Sequence, residues 1–428
     1  GRPARIVKAL YGLPTEGAIF RSYLAKHLKA IGFEPCAADR AVHIRVAVKS
    51  TGAEYWEYVI CYVDDILCGS ELPQVILNSI SGDKFKLKPG SVEVPTMYLG
   101  ADISTVKFSD DPEEKPRWKM SAYSYTVKAI EAVEQELAKP EYGSVKLMNN
   151  VDTPITSGYR PETDSTRELS QEKQNYYQGL IGMLRWICEL GRLDIIMPLS
   201  QLSRYLVQAR WGHLMQTFNI FAYLKSHKRK GLVFDDTKPD FSSSTFHECD
   251  WSEYYPEAGE KIPEDMPRPL GKSVSMSCFV DADHAGCQVT RRSHSGVIIF
   301  VNRAPILWFS KRQTTVETST FGSEIVALRI AIELVEGLRY KLRMMGVPLD
   351  GPTSVFCDNK SAVDNTTKPE SPLKKKHNAI AYHKARESIA AGTIRIAKEG
   401  TKTNIADMMT KLLDKNTLNE LAGRCMFA

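Results

Sequence analysis

Four acidic residues in the second half of this 428-residue chain are candidates for one shared metal site. They are Asp281, Glu324, Asp358 and Asp407, called the four acids below, and intervals of 43, 34 and 49 residues separate them. Four carboxylates that converge in a small space cannot all ionise without a compensating cation. Two hard divalent ions, about 3.5–4 Å apart, would supply that charge, activate water and stabilise the leaving oxygen of a phosphodiester. Ligand sets made only of oxygen favour Mg²⁺ or Mn²⁺.

Taken singly, three of the four acids have ordinary explanations. Asp281 and Asp358 each follow an apolar run that predicts a strand, and aspartates at strand ends or turns are common in any fold. Asp407 alone is typical of a helix surface. However, two acids at the carboxyl ends of buried strands also point to one edge of a sheet, where ligands gather. The order of the set therefore carries more weight than any single member.

Glu324 is the most informative of the four acids, because helical periodicity places it on an otherwise small and apolar face. Its stripe in the predicted helix 318–345 continues through Ala327, Ala331, Leu334 and Leu338. Burial of a carboxylate on such a face is energetically unfavourable unless the carboxylate is paired or bound to metal. The alternative is an exposed glutamate near the helix N-terminus, where the helix dipole favours it.

The elements that must position the four acids alternate between strand and helix patterns. Three β-rich runs come first, then a long helical pattern that Gly346 closes, and then strand, helix, strand and helix. The predicted ranges are 275–280, 296–301, 304–309, 318–345, 354–357, 376–391, 393–397 and 404–413. The order β-β-β-α-β-α-β-α predicts a mixed α/β (α+β) layer fold.

Composition divides the chain into four regions. Residues 1–125 mix short helical and strand patterns, and residues 126–234 are mainly helical. Residues 235–272 contain five prolines, and the stretch 250–265 has six acidic residues and one lysine, which predicts a linker or a surface excursion with little regular structure. Residues 273–428 form the region with the four acids, and no internal repeat is present.

Overall composition predicts globular domains with real cores. The chain is 43% hydrophobic, and its net charge of +5 is compatible with a nucleic-acid partner without being diagnostic. No apolar stretch reaches the ~20 residues of a membrane span. The nine cysteines form no CxxC pair, which predicts reduced, buried thiols. Because the first residue is Gly1 and not Met, we expect a fragment or a processed product.

Short motifs surround each of the four acids and follow one another in order. They are FVDADHAG (279–286), TSTFGSEIVAL (318–328), CDN (357–359) and IADMMTK (405–411), with RRSHSG (291–296), WFSKRQ (308–313) and KH (376–377) as further landmarks. Together they resemble the ribonuclease H domain of Copia-type LTR retrotransposon Pol polyproteins. The resemblance implies a ribonuclease H-like mixed sheet and hydrolysis of RNA in RNA/DNA hybrids. It also implies two Mg²⁺ or Mn²⁺ ions held by the four acids.

A DNA-cutting integrase core is a competing interpretation of the acids. The order Asp-Glu-Asp-Asp disfavours it, since the glutamate of an integrase or transposase core comes last. Asp283 is a neighbour of the predicted site to which the sequence assigns no role.

Two further acids lie upstream, in the run VICYVDDILCGS (59–70). The pattern predicts two apolar strands around Asp64 and Asp65, and a plain hairpin turn would account for it. However, Tyr-Val-Asp-Asp between apolar runs resembles the metal-binding motif of the reverse transcriptase palm. By that resemblance, Asp64 is the main metal ligand of a polymerase site and Asp65 supports it.

Other upstream blocks resemble the same Pol family. Tyr98, Leu99 and Gly100 resemble its primer-grip region, by which they are expected to bind nucleic acid. The remaining blocks are KALYGL (8–13), FKLK (85–88), VDTP (151–154), 177–186, GRLD (191–194) and 213–224. The resemblance thus spans nearly the whole chain, as a partial palm and fingers followed by a helical thumb or connection, apart from 235–272.

Two departures from the family weaken the polymerase half. PTEGAIF (14–20) stands where the family has a Lys-Gln-Ala-Pro-like run. The palm also needs a metal-binding aspartate from an earlier strand, which would precede residue 1. Two-metal chemistry with only the Asp64-Asp65 end should fail. We therefore expect the chain, taken alone, to be an incomplete RNA-directed DNA polymerase.

Basic residues predict a nucleic-acid surface, with nine Lys or Arg against three Glu between 368 and 402. The candidate binding residues are Lys374, Lys375, Lys376 and His377, together with Arg291, Arg292, Lys311 and Arg312. Such residues on a phosphate backbone give salt-dependent, largely sequence-independent affinity. A solvated basic face is the alternative. His377 and His383 are candidates for assisting product release, with a structural role as the commoner explanation for each.

The sequence therefore predicts a retrotransposon Pol fragment with a partial reverse transcriptase and a complete ribonuclease H domain. Its expected partners are an RNA/DNA hybrid and an RNA template with a DNA primer, without a membrane. The resemblance implies cytoplasmic virus-like particles, with nuclear entry at integration, and allows dimers or particle association. The rival interpretation is a decayed or domesticated nucleic-acid-binding module without catalysis.

Overall fold

The structure is a computed structural model that describes residues 16–63, 65–81, 85–88, 90, 92–108, 115–373 and 376–427. The chain forms two compact units. The first unit consists of residues 1–95, 261–274 and 337–349, and the second unit consists of residues 96–260, 275–336 and 350–428. Each unit is thus assembled from segments that lie far apart in the sequence.

The first unit contains a four-stranded antiparallel sheet and two helices. Its elements are α1 (Glu16–Ala30), β1 (Glu34–Pro35), β2 (Val42–Val48), β3 (Glu54–Tyr62), β4 (Asp65–Gly69) and α2 (Pro73–Ile80). Apolar residues of both helices and of β3 form one buried cluster, with Leu28 and Val59 fully buried. Pro73 opens α2, where its missing N–H costs no helical hydrogen bond.

The elements from residue 96 onward are strands and helices in mixed order. The strands are β5 (Met97–Tyr98), β6 (Ala101–Val106), β7 (Arg117–Ser121), β8 (Gly231–Phe234), β9 (Met276–Asp283), β10 (His294–Val301), β11 (Ala304–Arg312), β12 (Thr353–Cys357), β13 (Ile394–Lys398) and β14 (Met426–Phe427). The helices are α3 (Tyr123–Leu137), α4 (Gln171–Glu189), α5 (Ile196–Leu202), α6 (Trp211–Ser226), α7 (Thr320–Met344), α8 (Lys360–Thr367), α9 (Ala379–Ala390) and α10 (Lys415–Ala422).

The sheet of interest for function has the strand order β11-β10-β9-β12-β13. The first three strands are antiparallel hairpin neighbours, whereas β12 pairs in parallel with both β9 and β13. Parallel pairing needs crossover connections, and helices α7, α8 and α9 supply them. All five residues of β12 are buried, as expected of a strand covered on both faces. The predicted mixed α/β fold is confirmed.

A second sheet joins the consecutive strands β5, β6 and β7 to β8 and β14 from distant parts of the chain. Its order is β14-β8-β7-β6-β5, with every pair antiparallel. A side chain at Gly231 would meet the backbone of Met120 at 2.5 Å, so this position of β8 has no room for a Cβ. Helices α3 to α6 pack into a large apolar core beside this sheet, around buried residues such as Tyr177, Leu184 and Phe221.

Two predicted helices differ in the structure. The range 404–413 is not one helix but a short 3₁₀ helix, Ile405–Met409, followed by the separate helix α10. The break arises because Asp414 caps α10, accepting hydrogen bonds from the backbone N–H groups of Asn416 and Thr417. The predicted helix 376–391 likewise begins as the 3₁₀ helix Lys376–Asn378 and continues as α9. Helix α8 was not predicted, and β8 interrupts the end of the region predicted to be mainly helical.

Residues 235–272 contain no helix or strand, in line with the predicted lack of regular structure. Several aromatic side chains of this segment nevertheless pack against strands and helices of the second unit, to which residues 235–260 themselves belong. Phe241 and Phe246 contact Phe356 of β12, and Trp251 is buried beneath the guanidinium of Arg386. The aromatic residues anchor a segment whose prolines prevent regular structure.

The compact units do not follow the four predicted regions, since residues 96–125 belong with the acid-bearing sheet. The division of the chain into the regions 1–125, 126–234, 235–272 and 273–428 therefore stays a prediction. All nine cysteines are free, and seven are buried. No helix among the described residues is both long and apolar enough to cross a membrane.

Candidate active site

Neighbouring parallel strands bring two of the four acids to the same edge of the sheet. Val280 of β9 pairs in register with Cys357 of β12. The next residue along each strand is therefore one of the four acids, Asp281 or Asp358. Asp281 is almost completely buried, whereas Asp358 is partly exposed.

A helix and a 3₁₀ turn supply the other two acids. Glu324 lies in the first turns of α7 and is 5% exposed, which excludes the alternative of an exposed glutamate near the helix N-terminus. Asp407 lies in the 3₁₀ helix Ile405–Met409 and is also buried. Oxygens of Asp281, Asp358 and Asp407 all lie within 4.8 Å of one another, and Glu324 and Asp358 form an equally close group with the thiol of Cys357. The structure thus brings the four acids together.

Asn404 fixes the turn that carries Asp407 to the strand that carries Asp281. Its side-chain amide donates to the carbonyl of Val280 at 2.9 Å, and its side-chain oxygen accepts from the N–H of Ala406 at 3.1 Å. Asn404 is completely buried, so both bonds are shielded from water. One side chain therefore caps the 3₁₀ helix and holds it against β9.

Gly296 gives this turn room to approach the sheet. It lies on β10 directly opposite Asp281. A Cβ at this position would come within 2.5 Å of the Cβ of Met409 and within 3.0 Å of the carbonyl oxygen of Ala406. Glycine is therefore required sterically, and any side chain here would push the Asp407 turn outward.

Lys411 and Thr410 are the protein's own partners of these acids. The ammonium group of Lys411 lies 2.7 Å from Asp407 and 3.4 Å from Asp281. The hydroxyl of Thr410 donates a hydrogen bond to Asp281. Burial alone would lower the pKa of Lys411, but the nearby charges of Asp281 and Asp407 raise it overall, so the side chain stays a cation.

Three of the four acids, Glu324, Asp358 and Asp407, resist ionisation in this arrangement. Burial, and then the charges of Asp281 and Asp358, raise the pKa of Glu324 to about 9. Burial and the charge of Asp281 raise the pKa of Asp407 to about 6, and the same two causes raise the pKa of Asp358. One lysine is thus too little positive charge for four clustered carboxylates.

The donor set fits hard divalent cations. Carboxylate oxygens are the ligands that Mg²⁺ and Mn²⁺ prefer, and the excess of negative charge is the kind that such cations relieve. The thiol of Cys357 lies beside Glu324, with 3.9 Å between sulfur and oxygen. Burial holds the pKa of Cys357 well above its usual value, so it stays a neutral thiol and a poor ligand for a hard ion.

Asp283 lies on β9 two residues beyond Asp281. Burial and then the charge of Asp281 raise its pKa. A side chain at Gly286 would overlap the carboxylate of Asp283 at 1.6 Å, so this glycine makes room for it. Asp283 therefore has a defined position next to the four acids, although it is not among the potential metal ligands grouped above.

Asn404, Gly296, Thr410 and Lys411 are functional candidates that the sequence reasoning missed. All but Asn404 lie inside quoted motifs, but none of these four residues was assigned a role of its own. The signal that could have found Asn404 is its position just before the turn, because asparagine is a strong N-cap. The close approach at Gly296 has no local signal, since it depends on a segment 110 residues downstream.

The upstream acids are placed differently. Asp65 is exposed and opens β4, where it pairs with Tyr62 of β3, as the predicted hairpin requires. Asp64 lies outside the described residues. Among the described residues, no group of potential metal ligands includes Asp65. Its predicted role in a polymerase site stays a prediction.

The predicted primer-grip residues form a tight turn between β5 and β6. Leu99 and Gly100 have positive φ angles of 50° and 80°, and Tyr98 pairs with Ala101 across the turn. Two successive positive φ angles are typical of a two-residue hairpin turn. A Cβ on Gly100 would contact the indole of Trp186 at 3.4 Å, so the turn lies against α4.

The predicted basic binding residues have mixed surroundings. Arg291 and Lys376 are exposed, and Arg292, Lys311 and Arg312 line an open groove in the second unit. Lys374 and Lys375 lie outside the described residues. The imidazole of His377 lies 3.2 Å from buried Glu317, and that of His383 lies 2.8 Å from the hydroxyl of Tyr255. Both histidines therefore have protein partners.

The chain is similar along almost its whole length to Pol polyproteins of retrotransposons. It is 23% identical over 420 residues to the retrovirus-related Pol polyprotein from transposon RE1 of Arabidopsis thaliana, which covers 98% of this chain and 25% of the relative. It is 22% identical over 426 residues to the corresponding polyprotein from transposon TNT 1-94 of Nicotiana tabacum, covering 98% and 28%. The resemblance predicted from the motifs is confirmed, and the chain spans about a quarter of the length of these relatives.

No protein-family model matches the chain. Among solved structures, the complex of LC11-RNase H1 with an RNA/DNA hybrid matches 32% of this chain and 94% of that chain, with 17% identity and a TM-score of 0.27.

Proposed function

We propose that the chain is the part of a retrotransposon Pol protein that hydrolyses the RNA strand of RNA/DNA hybrids. The observation that carries the proposal is the convergence of the four acids, with Lys411 as their cation, on one edge of a mixed sheet. The similarity to retrotransposon Pol polyproteins supports the same assignment. The activity belongs to the second unit, which contains all four acids.

Asp281, Glu324, Asp358 and Asp407 would hold two Mg²⁺ or Mn²⁺ ions. When bound, such a pair supplies a nucleophilic water and neutralises charge at the leaving oxygen of a phosphodiester. The chain's own contribution is to hold four oxygen donors in place at a high electrostatic cost. Thr410 orients the carboxylate of Asp281, and Asn404 keeps the turn of Asp407 on β9.

Lys411 has a second task in this proposal. While its ammonium spans Asp281 and Asp407, it stabilises the charged acids. With the charges of these acids compensated by bound cations, the partly exposed side chain of Lys411 would be free to bind a phosphate oxygen of the substrate.

The upstream half would hold an RNA template with a DNA primer, through the hairpin of Asp64 and Asp65 and the Tyr98-Leu99-Gly100 turn. By the resemblance to the Pol family, Asp64 and Asp65 would supply only part of the two-metal site of an RNA-directed DNA polymerase. Virus-like particles in the cytoplasm, nuclear entry at integration and dimer formation remain parts of the proposal that rest on the family resemblance.

A substrate panel tests the proposal. The purified chain is incubated with Mg²⁺ and labelled RNA/DNA hybrid, duplex RNA or duplex DNA of one sequence. We expect cleavage of the RNA strand of the hybrid alone. Binding of the hybrid that metal does not change, with no cleavage in either Mg²⁺ or Mn²⁺, would favour the decayed binding module. Strand transfer on duplex DNA ends would favour an integrase core.

A further inference from the structure

The second unit has an open groove of about 540 Å³ with a strongly basic lining, called the basic groove below. Helices α4 and α5 and the turn after α5 contribute one side, and the end of β11 contributes the other. Its cations are Arg185, Arg204, Arg292, Lys311 and Arg312. Glu189 is the one carboxylate among the lining residues, so five cations against one acid leave an excess of four positive charges.

The cations of the basic groove are available for an external anion. Within the described part of the chain, none of the five lies at ion-pair distance from a carboxylate. Arg204 donates from Nη2 to the sulfur of Cys287 at 3.2 Å, while its buried Nε has no hydrogen-bond partner among the described residues. A buried donor without an acceptor is costly, and an anionic ligand would satisfy it.

Hydrogen bonds tie the basic groove to the Asp407 turn. The hydroxyl of Ser200 on α5 donates to the backbone carbonyl of Ser310 at 3.0 Å. The hydroxyl of Ser310 donates to the carbonyl of Met409 at 2.6 Å and lies 2.9 Å from Nε2 of His294. Burial lowers the pKa of His294 to about 3, so this connection stays neutral and does not change near neutral pH.

The basic groove also leads toward the four acids. A small neighbouring recess shares Arg204, Arg292 and Arg312 with the groove and has Asp283 in its lining. Asp283 is two residues from Asp281 on β9. Three arginines of the groove therefore line a recess that also reaches β9 two residues beyond Asp281.

We propose that the basic groove binds the sugar–phosphate backbone of the RNA/DNA hybrid beside the stretch that occupies the four acids. This inference rests on the proposed function and deepens it. Arg185 and Arg204, which come from the helical segments, thereby join Arg292, Lys311 and Arg312 in one binding surface. The half-buried rings of Trp308 and Phe309 offer apolar surface to the sugars.

The test measures hybrid affinity against salt, in the Asp281→Asn background with Mg²⁺ so that the hybrid stays intact. The variants are Arg185→Gln, the double variant Arg185→Gln/Arg204→Gln, and the control Lys128→Gln, an exposed cation of α3 that does not line the groove. The logarithm of the binding constant K falls as log [KCl] rises, and each lost phosphate contact makes this negative slope shallower by about 0.9. We expect the slope to become shallower by about 1 for the single variant and by about 2 for the double variant. The slope of the control should not change.

Unchanged slopes and affinities in Arg185→Gln and in the double variant would overturn the inference. Arg185 is exposed on α4, so its variant tests the groove even if the double variant unfolds in a melting experiment. Failure of the proposed function has a different signature, namely no RNA cleavage by the chain that retains Asp281.

Discussion

At the scale of single residues, the ionisation of the acids links metal binding to stability. The pKa values of Asp407, about 6, and Glu324, about 9, are raised above those of the unfolded chain. Folding therefore favours their protonated forms. Their contribution to stability is fully present below about pH 4 and is lost as the pH rises through 6 and then 9.

Asp407→Asn should stabilise the metal-free chain at pH 8, because it removes a charge that the fold disfavours. We expect a gain of about 1–3 kcal/mol, and a smaller one at pH 5, in denaturant unfolding with EDTA. Mg²⁺ should raise the Tm of the unmodified chain more at pH 8 than at pH 5.

The matched control is Asp414→Asn, since Asp414 caps α10 and its pKa is lowered by hydrogen bonds from Thr417. Asparagine also caps helices well, so no gain is expected there. Equal effects of the two substitutions at pH 8 would refute the electrostatic explanation for Asp407.

Lys411 should compete with metal for the acids, because its ammonium lies against Asp281 and Asp407. We expect Lys411→Met to bind Mn²⁺ about five- to tenfold more tightly in calorimetry, which corresponds to about 1 kcal/mol for a partly exposed pair. Lys128→Met on α3 serves as the control and should leave the affinity unchanged. Weaker Mn²⁺ binding by Lys411→Met would mean that the lysine organises the ligands and does not compete.

At the scale of elements, local patterns predicted more than long-range ones. The apolar stripe of Glu324 and the strand ends at Asp281 and Asp358 are local features, and the structure brings these three residues together as expected. The Asp407 segment was predicted as a helix because its apolar residues fit helical spacing. Its 3₁₀ turn depends on Asn404, which bonds to Val280 far upstream, and on the separate cap at Asp414.

The sheet that contains β8 and β14 lay beyond prediction for the same reason. Its strands are two to six residues long and come from distant parts of the chain, so no local period marks their pairing.

The histidines illustrate the same limit for single residues. The partners of His377 and His383 are Glu317 and Tyr255, which a one-dimensional pattern does not bring together.

Gly296→Ala should separate the Asp407 turn from β9, since its Cβ would overlap Met409. We expect a loss of about 1–3 kcal/mol in the free energy of unfolding, as for overpacked cores, and weaker Mn²⁺ binding. Gly337→Ala is the control, because nothing lies within 4 Å of a Cβ on this helical glycine and alanine favours helix by about 1 kcal/mol. A Gly296→Ala chain with unaltered stability and Mn²⁺ affinity would contradict the packing argument.

At the scale of the whole molecule, the two predicted activities should separate. Asp65 belongs to the first unit, and no described group of potential metal ligands includes it. Because two-metal polymerase chemistry needs more carboxylate ligands than Asp64 and Asp65 supply, we expect no primer extension by the 428-residue chain on an RNA template with a DNA primer, in Mg²⁺ and with all four nucleotides. Extension at a normal polymerase rate would refute the prediction that the polymerase site is incomplete.

RNA hydrolysis at the four acids is the central claim, and one comparison tests it most directly. The chain and its Asp281→Asn variant are incubated side by side with an RNA/DNA hybrid labelled on the RNA strand, with Mg²⁺ or with EDTA, after both are shown to be folded. We predict RNA cleavage that requires Mg²⁺ and is lost in Asp281→Asn, because the acid that contacts both Thr410 and Lys411 has lost its charge. Equal cleavage by the two chains, or no cleavage by either in Mg²⁺ or Mn²⁺, would contradict the claim.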